Sequence, residues 1–190
     1  METAIQALAL VVLGLFFIWA ARVRPLRPLQ IMSLAVGWLA LAAALSNPLD
    51  ELAETSVSAH MLQHEILILI AAPLLALGRA HHLLLAVLPR SRRGGLWHYL
   101  RSMRVSAAIA CILHGLAIWI WHLPALYEAA AAQPPLHFAQ HASFLGTALL
   151  FWCAVLDQRR QYGAAALYTF ATSAHTGILG VLMFITPHPW

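Results

Sequence analysis

The chain is divided into long apolar runs by short polar connections, and this pattern leaves few folds open to it. A hydrocarbon core about 30 Å thick needs about 20 apolar residues per helix at roughly 1.5 Å rise each. Six segments meet that requirement: roughly 4–21, 29–46, 57–77, 104–122, 135–156 and 164–186. Only 9% of residues are charged and the mean hydropathy is +0.76, which argues against a soluble core. The fold class expected is therefore all-α: one polytopic transmembrane bundle of six helices spanning residues 1–190. The first run has neither a charged leader nor a small-residue cleavage site before the next span, so it is expected to be a retained helix.

The breaks between runs have physical causes. Arg22, Arg24, Pro25, Arg27 and Pro28 end the first, and Asn47, Pro48 and Asp50 end the second. Arg79 follows the third, and Pro124, Pro134 and Pro135 frame the fourth connection. Pro73 falls inside the third run, where it predicts a kink near the inner end and a freed carbonyl.

All eleven basic residues are arginine, and every one falls in the first, third or fifth connection. The positive-inside rule assigns that face to the cytoplasm, which places both termini on the outer, periplasmic side of a bacterial inner membrane. Glu2, Asp50, Glu51, Glu54 and Glu128 lie on the opposite face. The basic isoelectric point, near 9.7, is explained by these loop arginines. No nucleic-acid motif accompanies it. Cys111 and Cys153 form no C-x-x-C pair.

Against this apolar background stand eleven histidines, eight of them toward the outer ends of the last four spans: His60, His64, His114, His122, His137, His141, His175 and His188. Ionisable groups in a bilayer face the bundle interior or a watery cavity. His60 with His64, and His137 with His141, are H-x-x-x-H pairs, which present two imidazoles on one helix face. Counted from the outer edges, His64 and His141 lie roughly 10 Å deep, His114 about 12 Å and His175 about 16 Å. His60, His122, His137 and His188 form a shallower rim, giving a path from the periplasm to a deeper site.

Imidazole is a ligand for copper, zinc, iron and nickel, and facing helices of a bundle are a common scaffold for such sites. Copper is the metal favoured, with zinc or iron as alternatives. Met61, Met183 and Cys111 carry sulfur suited to Cu(I), although packing is the simpler role for each. Glu65, costly against lipid, is expected to reach the cavity or a polar helix contact, and Gln140 to support His141 as an amide. Asp50, Glu51 and Glu54 read as a solvated acidic loop. His81, His82 and His98 lie on the arginine-rich side, near an interfacial apolar segment, Leu83 to Leu88. Trp119, Trp121, Trp152 and Trp190 fit an aromatic belt. Other readings of the histidines are a b-type haem protein with axial ligands from two spans, a membrane di-metal oxidoreductase, and a metal transporter.

Several of these segments resemble one family. His60-Met61-Leu62-Gln63-His64 with Ala71-Ala72-Pro73-Leu74-Leu75-Ala76-Leu77-Gly78 is similar to the H-M-x-x-H … A-P-x-L-L-x-L-G stretch of the CtaG family of cytochrome c oxidase assembly proteins. Trp121-His122-Leu123-Pro124-Ala125-Leu126-Tyr127 resembles its W-H-x-P-x-L-Y motif, followed by His137, His141, Phe144 and Leu150-Phe151-Trp152. His175-Thr176-Gly177-Ile178-Leu179-Gly180 resembles its terminal H-T-G-x-L-G. The chain departs from the family pattern at Glu65, where many members have Met, and at Gln140, where they have Glu. The resemblance implies a non-enzymatic membrane assembly factor that helps deliver copper to the catalytic subunit of cytochrome c oxidase, supplied by a periplasmic copper donor.

Overall fold

In the computed structural model, residues 2–23, 25–84, 106–157 and 162–185 are described, and among them the only regular structure is helical. The helices are α1 (Glu2–Val23), α2 (Pro28–Ala44), α3 (Leu49–Thr55), α4 (Val57–Glu65), α5 (Ala72–Leu77), α6 (Ala80–Leu84), α7 (Ala107–Trp121), α8 (Pro124–Ala132), α9 (Pro134–Asp157) and α10 (Tyr162–Ile185). A π-helical turn, Ile66–Ala71, joins α4 to α5.

Among the described residues four helical stretches are long and apolar enough to cross a membrane: Pro28–Thr55, Val57–Leu77, Pro134–Asp157 and Tyr162–Met183. A fifth is reached if α7 and α8, bent by 73° at their junction, are taken as one span. Ala7–Arg22 is a shorter apolar helix. Each of the six expected segments thus has a helix at its place, while the membrane criterion selects four or five.

Two expected loops are helical. Pro124 occupies the first turn of α8, where its missing N–H costs nothing, and the alanines that follow are strong helix formers. In α3 the first turn carries Asp50 and Glu51, whose charges complement the N-terminal end of the helix dipole. At Pro73, where a kink was expected, the helix runs on through a π turn, Ile66–Ala71, that precedes the proline. The Ala72 N–H reaches the Leu67 carbonyl, five residues back, and this wider turn makes room for a proline ring that would otherwise crowd the Leu69 carbonyl.

The chain forms two compact units, Met1–Arg104 and Val105–Trp190. In the first, α2 packs along the π turn and α5, and α3 packs on α4. Glycines permit the close approach: a Cβ on Gly37 would lie 2.9 Å from the Leu75 backbone nitrogen, and one on Gly78 would lie 2.8 Å from that of Leu34. Small residues serve this purpose wherever membrane helices touch closely. Trp38 crosses to α1, where its indole N–H donates to the Leu10 carbonyl at 3.2 Å beside Gly14. In the second unit α7 packs on α9 and α10, with Ala110, Phe151 and Val155 as the buried core.

Polarity is arranged inside out relative to a soluble protein. Leu15, Leu39, Ile112, Leu116, Leu167, Phe170 and Val181 are exposed, whereas His60, Gln63, His64, His114, His122, Gln140, His141 and Thr172 are buried. An apolar exterior around polar interior groups is what a hydrocarbon solvent selects.

Candidate functional site

In the first unit the site residues are carried by α4. Ser56 caps this helix by accepting the Ala59 N–H at 3.4 Å, which fixes the start of the turn that carries His60. The His60 and His64 rings lie edge to face with centroids 4.4 Å apart, as the four-residue spacing predicts. Between them in sequence, Gln63 is fully buried, and its amide donates to the Ala44 carbonyl at 2.7 Å and to Asp50 Oδ1 at 2.9 Å. These two bonds tie the histidine turn to the end of α2 and to α3. Asp50 is therefore a structural acceptor as well as an acidic loop residue. Glu65 does not join this face. It is exposed, because the buried side of the helix holds positions 60, 63, 64, 67 and 71 and residue 65 points about 100° away from His64.

The second unit carries five of the expected residues. His137 and His141 at the start of α9 have ring centroids 4.2 Å apart. Gln140, next to His141, is fully buried, and neither its amide oxygen nor its nitrogen has a hydrogen-bond partner among the described residues. His122 caps the C-terminal end of α7; its Nδ1–H donates to the Ile118 carbonyl at 2.7 Å, and its ring stacks with those of Phe144 and Tyr127. That bond makes Nε2 the lone-pair nitrogen of the neutral ring.

Deeper along α7, His114 is fully buried and stacks on Phe151. Its Nδ1 lies 2.9 Å from Thr147 Oγ1, while its buried Nε2 has no hydrogen-bond partner among the described residues. His175 on α10 rests against Gly115, the residue after His114, with Nε2 at 3.4 Å from where a Cβ would stand. The Trp119 indole donates to His175 Nδ1 over 3.4 Å. Trp119 thus has a bonding role in addition to its place near a span end. Cys111 is engaged with Thr172, Sγ to Oγ1 at 3.5 Å.

The histidines are thus gathered as pairs: His60 with His64, His137 with His141, and His114 beside His175. Among the described residues no three His, Cys, Asp or Glu side chains are clustered so as to hold one metal ion. His188 and His98 lie outside the described residues, as do Trp190 and the loop arginines Arg24, Arg90, Arg92, Arg93, Arg101, Arg104, Arg159 and Arg160. His81 and His82 sit in α6, which covers the start of the apolar segment expected at the membrane surface. Gln63 and Thr147 were not singled out by spacing. For Gln63 the available signal was a polar residue one turn from His60; Thr147 stands six residues from the nearest histidine in sequence, and no such spacing marked it.

The model of the cytochrome c oxidase caa3 assembly factors, Caa3_CtaG, matches residues 5–190. The chain belongs to this family. The match takes in both H-x-x-x-H pairs of the chain, the His114 helix and His175. No curated protein and no solved structure matches the chain in the other two comparisons.

Proposed function

We propose that this chain is a non-catalytic copper carrier of the bacterial inner membrane, taking the metal as cargo and passing it to the catalytic subunit of cytochrome c oxidase. The observation that carries the reading is the buried Nε2 of His114, an imidazole nitrogen deep in an apolar helix with no hydrogen-bond partner among the described residues. A buried nitrogen of this kind costs free energy unless something binds it, and a lone-pair imidazole nitrogen is a metal ligand. The residues proposed to handle copper are, in the first unit, His64 with His60 as its shallower partner, and in the second His114, His141 and His175 with His122 and His137 as the shallower relay. Pairs of imidazoles without a closed cage suit a metal that has to leave again. In this reading the chain has six spans with both termini outside, so the histidines open to the periplasm, where a copper donor loads them.

Copper titration of the purified protein, with maturation of the oxidase measured in cells, tests the proposal. Wild-type protein is expected to retain copper, and H64A combined with H141A is expected to lose both copper and oxidase maturation. Intact maturation in that variant, or wild-type protein that takes up no copper, contradicts it. Labelling of single cysteines placed at each terminus checks orientation: both are expected to react from the periplasmic side.

A further inference from the structure

Two histidines of the second unit make hydrogen bonds that fix which ring nitrogen carries the proton, and the two are fixed in opposite senses. Thr147 Oγ1 donates its hydrogen to the Ser143 carbonyl at 2.8 Å, with the Phe144 carbonyl at 3.3 Å as a second acceptor. Its lone pair is then left to accept from His114, so the proton of that ring is on Nδ1 and the buried Nε2 bears a lone pair. An indole N–H can only donate, so Trp119 makes His175 Nδ1 an acceptor and places that ring's proton on Nε2. That Nε2 is also buried without a hydrogen-bond partner among the described residues, and it lies against Gly115, adjoining His114.

We infer that Thr147 and Trp119 are opposed positioning residues. Thr147 holds His114 ready as an Nε2 ligand, while Trp119 keeps His175 in the tautomer whose Nε2 is blocked. His175 joins the metal through Nε2 only when the Nε2 proton is given up, Nδ1 takes a proton in exchange, and the Trp119 bond breaks. The proton count of the ring is unchanged; the new bond is Nε2 to metal and the lost one is indole N–H to Nδ1. Of the two, His114 therefore engages cargo before His175, and recovery of the Trp119 bond favours release. This inference rests on the copper reading proposed above.

The tautomers can be read without metal by two-bond nitrogen–proton correlation spectra of the full chain, labelled with [15N]histidine, in lipid bicelles. His114 is expected as the Nδ1–H form and His175 as the Nε2–H form, each assigned by its disturbance in T147V or W119F. Cu(I) titration against a chromophoric chelator then reads the consequence. W119F is expected to bind roughly three- to tenfold more tightly, the scale of one net hydrogen bond, and T147V more weakly by a similar factor. T147S, which keeps the hydroxyl, restores wild-type affinity and separates positioning from folding. Reversed tautomers, unchanged affinity in W119F, or no rescue by T147S overturns the inference while copper binding stands. No Cu(I) uptake by wild-type protein, with the tautomers as assigned, overturns the copper reading and the gating role together.

Discussion

Gln63 is the residue through which the fold most directly sets the histidine turn of α4, and Q63L removes its amide while keeping most of its volume. Two hydrogen bonds are lost, one to the Ala44 carbonyl at 2.7 Å and one to the Asp50 carboxylate at 2.9 Å. Interhelical hydrogen bonds in membrane proteins average about 0.6 kcal/mol and reach about 1.7. Bonds to charged acceptors lie at about 1.5–3 kcal/mol in soluble proteins. The carbonyl bond therefore contributes about 0.6 kcal/mol and the carboxylate bond about 1.5, so Q63L should destabilise the chain by about 2 kcal/mol, allowing for the non-additivity of paired groups. The assay is reversible unfolding by SDS in mixed micelles, followed by circular dichroism, on wild-type, Q63L, D50A and the double variant. D50A alone should cost about 1.5 kcal/mol, and the double variant little more than Q63L, leaving a coupling near 1.5 kcal/mol. A coupling below about 0.3 kcal/mol, the additivity expected of independent sites, would refute the clamp. Q63L should also weaken metal retention, because His60 and His64 flank the lost amide.

Glycine substitutions should divide by what surrounds them. G37V puts a side chain 2.9 Å from the Leu75 backbone nitrogen and should cost about 1–3 kcal/mol by overpacking, whereas G177A meets no atom within 4 Å and should be neutral or stabilising by up to about 1 kcal/mol, both read in the same unfolding assay. Ser106 caps α7 by accepting the Ile109 N–H at 3.2 Å, so S106A should cost about 1 kcal/mol. H122A should lower the rate of copper loading more than the amount finally held if His122 serves the proposed shallow relay; stopped-flow loading against equilibrium retention separates the two, and equal loss in both would place it among the proposed deep ligands.

The apolar runs made the long helices legible, because length and hydropathy decide what a bilayer accepts and little else competes. The same evidence could not show that the connections after Asn47 and His122 are helical, since a short helix needs only a tolerable first turn and local propensity. Pro73 announced a disturbance, but whether a chain answers proline with a kink or with a wider turn depends on the packing of α2 against Ile66–Ala71. Within one helix, spacing was a sound guide: His60 meets His64, and His137 meets His141. It was blind to the neighbour. That Thr147 holds His114 and Trp119 holds His175 depends on how α7, α9 and α10 pack, which no single-helix periodicity contains. Glu65 was expected in the cavity or in a polar helix contact because lipid disfavours charge, yet it follows His64 directly and so turns to the exposed side.

Copper-edge X-ray absorption on the purified, copper-loaded protein tests the central claim most directly. Coordination by the proposed histidines, His114 among them, predicts a nearest shell of nitrogen with the outer-shell scattering of imidazole rings, diminished in H114A. A shell of sulfur without imidazole scattering, or a spectrum unchanged by H114A, would contradict the histidine site.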